Sequence, residues 1–166
     1  MDDIIFRSPM INELSQVSAQ IAESYKATYK NMMSDSYLDL LSADNWVPIL
    51  QKSLLRGDIC IIAEVNGKIA GSAVFGKNKN KAGEASWHAI YLLPHFIGKG
   101  IGHRLCAEVE AAMKAQQFTC STLEVLTENH RAIKFYVSHG YSVANTFFVE
   151  ENNMTLECYT MKKQLA

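Results

Sequence analysis

The chain has 166 residues, in the range of one ordinary domain, with a formal net charge of -1 at pH 7 and 48% apolar residues. Its longest basic stretch, Lys77 to Lys81, interrupts three Lys with two Asn, which argues against a nucleic-acid surface. The acidic opening Met1-Asp2-Asp3, the lack of any apolar run near the roughly 20 residues of a membrane span, and four scattered cysteines without C-x-x-C lead us to expect a cytoplasmic protein with reduced thiols and no metal.

In chain order, Ile4 to Arg7 reads as a first strand, and Ser8 or Asn12 as the cap of a helix carrying Leu14, Val17, Ile21 and Tyr25 at helical spacing. A second helix is expected from about Ser34 to Leu55, broken between Asp44 and Pro48 because proline cannot continue a helix interior. Ile59 to Val65, Asn66-Gly67 and Lys68 to Phe75 form a hairpin signal, since Asn-Gly tolerates the positive φ of a type I′ turn. A third strand runs over about Ala85 to Leu93. A glycine-rich turn then leads into a helix whose buried stripe is Ile101, Leu105, Val109 and Ala112 or Met113. Next come a strand (Ser121 to Leu126), a helix (Asn129 to His139) stopped by Gly140, and two strands, Tyr141 to Val149 and Met154 to Met161, joined by a polar turn. The order β-α-α-β-β-β-α-β-α-β-β, with no repeat or linker, predicts one mixed α/β domain over residues 1–166.

The turn Leu93-Pro94-His95-Phe96-Ile97-Gly98-Lys99-Gly100-Ile101-Gly102 stands between a strand and an amphipathic helix. Glycines let main-chain N–H groups converge on an anion, and a helix start adds roughly half a positive charge, so a phosphate ligand fits. Tight strand-to-helix packing fits the bare turn equally well. A dinucleotide fingerprint beginning at Gly98 fails at His103, and no Gly-Lys-Ser or Gly-Lys-Thr of a P-loop occurs.

Context decides. Ile90-Tyr91-Leu92-Leu93-Pro94 before the glycine turn, together with Asn129, Ala132, Phe135, Tyr136, Gly140 and Tyr141 in a second motif, resembles the GNAT superfamily of N-acetyltransferases. The resemblance implies the family's fold, a mixed sheet of about six to seven strands with about four helices. It also implies acetyl-CoA as cosubstrate, bound by Ile97, Gly98, Lys99, Gly100, Ile101 and Gly102. The side chain that usually opens the motif, Gln or Arg, is Ile97 here, which implies weaker rather than absent CoA binding. In the family two adjacent parallel strands splay around the pantetheine arm, which assigns that arm to the backbone of Ile90 and Leu92 and to Asn129. A main-chain N–H near Leu92 would polarise the thioester carbonyl.

By the same resemblance Tyr136 is the general acid that returns a proton to the CoA thiolate. The family's frequent base, a Glu on the motif strand, is replaced by Ser86. Glu84 and His88 flank it on the same face if the strand has no bulge, and either could relay a proton through water. A base is needed because a lysine-like amine of pKa about 10.4 carries a deprotonation penalty of roughly 4.6 kcal/mol at pH 7. Tyr25, Tyr29, Tyr37 and Trp46 lie where the family builds its acceptor pocket, with Tyr29 and Trp46 the candidates to line it. The amine stays open between small molecule and peptide or protein, as does a homodimer. A CoA-binding module without turnover is the competing reading.

Overall fold

A computed structural model gives the fold over residues 2–165. Seven strands form one mixed sheet in the order β1-β2-β3-β4-β5-β7-β6. β1 (Ile4–Arg7) pairs antiparallel with β2 (Ile59–Val65), which pairs with β3 (Lys68–Lys77), and β3 with β4 (Glu84–Leu92). β5 (Cys120–Leu126) lies parallel to β4 and antiparallel to β7 (Met154–Gln164), and β6 (Ser142–Glu151) closes the far edge. Two turns carry the positive φ expected of their residues: Asn66 and Gly67 at 51° and 82°, and Asn152 and Asn153 at 45° and 65°.

Among the described residues five α-helices cover the sheet. On one face α4 (Ile101–Ala115) and α5 (His130–Ser138) bury Leu105, Val109 and Met113 against Phe75, Leu123 and Met161. On the other, α1 (Leu14–Tyr29) and α3 (Val47–Leu55) bury Val17, Ile21 and Leu50 against Ile62 and Val74. A short α2 (Asp35–Asp39) is capped by Ser34, whose Oγ accepts the Tyr37 N–H at 3.3 Å. Among the described residues no helix is long and apolar enough to cross a membrane.

Two local expectations need correcting. Neither Ser8 nor Asn12 caps α1. A 3₁₀ turn at Ile11–Glu13 precedes the helix, and the Glu13 carboxylate accepts the Met10 N–H at 2.8 Å while pairing with Arg7 at 2.8 Å. The second helix breaks earlier than Asp44: it stops at Asp39 and resumes at Val47, with Pro48 in the first turn of α3, where a missing N–H costs nothing. Ser18 holds the gap, donating to the Ala43 carbonyl at 2.6 Å and accepting the Trp46 N–H at 2.9 Å.

Candidate active site

β4 and β5 pair only where Glu84, Ala85 and Ser86 face Cys120, Ser121 and Thr122. Beyond that the strands part around a cavity of about 540 Å³, walled by Ile90 and Leu92 on one side, Leu123 and Val125 on the other, and Asn129 and Tyr136 of α5. The fork begins at a bulge. Phe75 pairs with Trp87 and Val74 with Ala89, so His88 is one residue too many for β3, and such an insertion bends its strand. Past the bulge Ile90 and Leu92 pack toward α4, while Ala89 and Tyr91 pack toward α1. The Leu93 N–H goes to the Ala70 carbonyl on β3 at 2.8 Å. Alternation along an antiparallel strand therefore aims the main-chain groups of Leu92 and Ile90 away from β3, into the fork.

At the mouth of the fork a 3₁₀ turn, Pro94–Phe96, leads into the glycine turn. Gly98 and Gly100 have φ of 84° and 82°, and a Cβ built on either would meet no atom within 4 Å. Their glycines answer to backbone conformation, and the space before them, at the N-terminus of the 15-residue α4, is open. Gly102 is different. A Cβ there would lie 3.2 Å from Leu92 Cδ1 and 3.4 Å from Phe135 Cε1, so it permits tight packing of α4 on β4 and α5. The packing reading of the turn holds at Gly102, while the space before Gly98 and Gly100 leaves room for an anion. Ile97 lines the cavity, Ile101 is buried in the core, and the Lys99 ammonium lies 5.7 Å from the Phe96 ring centroid.

Asn129 caps α5: its Oδ1 accepts the Ala132 N–H at 3.3 Å, leaving its Nδ2 donors for the cavity it lines. The Tyr136 ring is buried against Phe135 and Tyr141, and burial pushes its phenol well above the ordinary tyrosine value. Tyr29 also lines the cavity, its hydroxyl 3.3 Å from that of Tyr91. Trp46 is placed elsewhere: half-buried, it packs on Tyr25 at 5.2 Å against the cluster beneath α1 and α3 and is not among the residues lining the cavity.

A second cavity, about 600 Å³ and polar, opens on the sheet face away from α4, floored by Ser86, Thr122, Glu124, Asn145 and Thr160. The two cavities share Trp87, His88, Leu123 and Glu124, so they meet where the strands part. His88 stands at that junction with Nε2 3.4 Å from Asp58 Oδ2; burial lowers its pKa below the usual histidine value, with Asp58 opposing.

Glu84 is occupied otherwise. It is 1% exposed at the closed end of the fork, accepting Asn78 Nδ2–H at 2.9 Å and Lys162 Nζ–H at 3.3 Å, with Lys81 at 3.7 Å. Burial alone would raise its pKa, but these hydrogen bonds and the two ammonium charges outweigh it and hold the carboxyl below its ordinary value. A depressed folded-state pKa contributes stability above the unfolded value and loses it as pH falls through the folded one. Denaturant unfolding is therefore expected to separate the parent from Glu84→Gln widely at neutral pH and narrowly at an acid pH below the folded-state value. An equal gap at both would show that the charge of Glu84 is unimportant.

One feature of the site left no signal in the sequence. The Trp87 indole N–H donates to Ser121 Oγ at 2.9 Å and to the Tyr141 hydroxyl at 3.0 Å, and Tyr141 donates to Glu110 Oε2 at 2.8 Å. Lys163 completes the chain at 2.7 Å from Glu110 Oε1. This buried network ties β4, β5, α4 and β7 together at the base of the fork. All four cysteines are buried, and burial pushes the Cys60 and Cys106 thiols up to about 12, which leaves no thiolate nucleophile there. Among the described residues no cluster of three or more His, Cys, Asp or Glu has the arrangement of a metal site.

The chain is similar to the spermidine N(1)-acetyltransferase of Thermoplasma acidophilum, 27% identical over 86% of this chain and 91% of that protein. It is also similar to an uncharacterised N-acetyltransferase of Archaeoglobus fulgidus, 28% identical over 70% of this chain and 74% of the other. Its fold matches the crystal structure of the PaiA N-acetyltransferase of Thermoplasma acidophilum in complex with coenzyme A, with a TM-score of 0.79, 22% identity and coverage of 98% and 99% of the two chains. The Salmonella typhimurium protein yncA, solved with its cofactor acetyl-CoA, superposes with a TM-score of 0.76 at 18% identity over 99% and 95%. The model of the acetyltransferase (GNAT) family matches residues 19–141, a span that takes in the fork, the glycine turn and the whole of α5. With those features accounted for by one family, the chain belongs to the GNAT acetyltransferases.

Proposed function

We propose that this enzyme moves the acetyl group of acetyl-CoA directly onto a primary amine that enters through the polar groove. The observation that carries the reading is the junction of the two cavities at His88, Trp87, Leu123 and Glu124. One limb is apolar, edged by free main-chain groups, and ends at a glycine turn open to an anion. The other is polar and carries Glu124, which among the described residues has no ion-pair partner. That is the form of a site where a thioester meets a cationic amine. The thioester supplies an activated acyl group, and the chain's own groups do the rest.

The Leu92 N–H, aimed into the fork, donates to the acyl carbonyl as charge grows on its oxygen. His88 takes the proton of the ammonium, Glu84 being fixed as a counter-ion to Lys162. The amine nitrogen bonds to the acyl carbon, the carbon–sulfur bond breaks, and Tyr136 gives its proton to the departing thiolate. The second N–H proton, shed as the amide forms, returns Tyr136 to its neutral form by way of solvent, and His88 passes its own proton to bulk water. The buried phenol carries its proton at neutral pH, so Tyr136 enters the reaction in the form an acid needs. Direct attack fits the four buried thiols, none of which is poised as a nucleophile. The resemblance to a spermidine N(1)-acetyltransferase makes a polyamine the first acceptor to assay.

Acetyl-CoA is expected to stabilise the protein by about 2.7 kcal/mol at a hundredfold excess over its Kd, read as a rise in melting temperature, whereas NAD does not. Release of free CoA thiol on adding spermidine, then a panel of other amines, completes the test. Stabilisation without thiol release from any amine would mean a binding module, and no stabilisation would overturn the reading altogether.

A further inference from the structure

We propose that Asp58 is a positioning residue for His88, which it holds across the gap left by Gly76 so that Nδ1 of the imidazole is presented to the incoming amine. The inference rests on the reading of His88 as the base.

His88 is the extra residue of the β4 bulge, so no β3 partner constrains its place along the strand. Its side chain is 36% exposed and lies at the meeting of two cavities, where an imidazole free to turn would spend most of its time misaligned. Asp58 supplies the constraint. Its own side chain is 7% exposed, and Oδ2 accepts Ser53 Oγ–H at 2.6 Å and Arg56 Nε–H at 2.7 Å, so it is clamped from α3 and the turn that follows. His88 Nε2 lies 3.4 Å from that same oxygen.

Gly76 is the independent observation. It is no turn glycine; it sits within β3, paired with Ser86. A Cβ there would stand 1.9 Å from Asp58 Oδ1 and 3.1 Å from His88 Nε2. Any other residue would fill the space in which the two side chains meet. A helix-anchored carboxylate, a histidine freed by a bulge, and a glycine that opens the way between them form one arrangement.

Its chemical sense follows from the proton balance. When the ammonium loses its proton to Nδ1, the ring becomes a cation, with Nε2–H facing Asp58. Asp58 keeps its charge and stabilises that cation without accepting the proton, as an orienting carboxylate does in other histidine pairs. The charged groups facing the ring are Asp58, Arg56, Lys79 and, from β5, Glu124. Of these, Asp58 is the carboxylate in contact with Nε2.

The test compares Asp58→Asn, His88→Gln and the double variant, using spermidine as the probe amine for CoA release across pH, with the His88 ring titrated by NMR in the Asp58 series. Asp58→Asn is expected to lower the His88 pKa, to move the acid limb of kcat to lower pH and to reduce plateau kcat by about tenfold or more, with KM for acetyl-CoA unchanged. On a His88→Gln background it adds nothing. If His88→Gln lowers kcat but Asp58→Asn leaves the ring titration and kcat at parental values, His88 stands as the base and this inference falls. An Asp58→Asn loss of equal size in both backgrounds also overturns it, because it reports scaffold damage. Parental kcat in His88→Gln removes the base reading and with it the role of Asp58. Should Asp58→Asn fail to fold, Gly76→Ala parts the pair by one methyl group, and an unmoved His88 titration in it is decisive against the proposal.

Discussion

Replacing Tyr136 by Phe is expected to lower kcat by about a hundredfold or more while changing acetyl-CoA affinity far less. The substitution removes one hydroxyl and keeps the ring, so the contacts with Phe135 and Tyr141 that hold α5 against the sheet survive. The glycine turn at Gly98 to Gly100, to which we assign the pyrophosphate, lies on a different element, which is why binding and turnover are expected to separate. The loss should shrink with an acetyl thioester whose leaving thiol is more acidic, because a better leaving group needs less protonation. Parental turnover in the Phe variant would mean the thiolate leaves without Tyr136. A joint collapse of affinity, activity and melting temperature would assign the residue to packing.

Gly100→Val is expected to weaken acetyl-CoA binding by about tenfold or more, from two effects that add. The residue sits at φ 82°, a conformation that costs an L-residue roughly 1–2 kcal/mol and a β-branched one more, so the unliganded turn of the variant relaxes away from it and binding must restore it. The new side chain would also point into space that no protein atom occupies, which in this reading belongs to the pyrophosphate. Comparing Gly100→Ala with Gly100→Leu by calorimetric titration separates them: strain is shared by two residues unbranched at Cβ, obstruction grows with size. Unchanged affinity in both variants would make the turn purely structural. His88 stands where the fork begins and Gly100 beyond its mouth, so kcat at saturating acetyl-CoA should change little.

Much of this arrangement is legible in the residues because it depends on local rules. Asn66-Gly67 must turn a hairpin, Gly98 and Gly100 must take left-handed conformations, and Asn129 caps the helix that carries Tyr136, each a matter of a few neighbours. What failed to show depends on distant ones. The bulge at His88 is visible only as an offset against β3, and it turns Tyr91 toward α1 while sending Ile90 and Leu92 to the fork. Glu84 and His88 look equivalent two residues either side of Ser86. Their neighbours separate them: Lys162, 78 residues on, fixes Glu84, and Asp58, 30 residues back, holds His88. Trp46 belongs to a plausible aromatic group by composition, yet the Ser18 hydroxyl pins its backbone and the half-buried ring faces Tyr25.

The fork has a consequence for solubility. Where β4 and β5 separate, each presents a row of unpaired main-chain donors and acceptors, so the middle of the sheet contains two edges of the kind that invite other chains to add strands. Exposed edges are commonly guarded by charge, proline or a covering helix. Here the guard is shape: the strands converge to a paired ladder at one end, tied there through Trp87 and Ser121, and Asn129 and Tyr136 of α5 wall the gap that opens beyond it. A single slender chain can enter such a slot and satisfy both rows at once, whereas the flat edge of a neighbouring molecule is too broad to follow it.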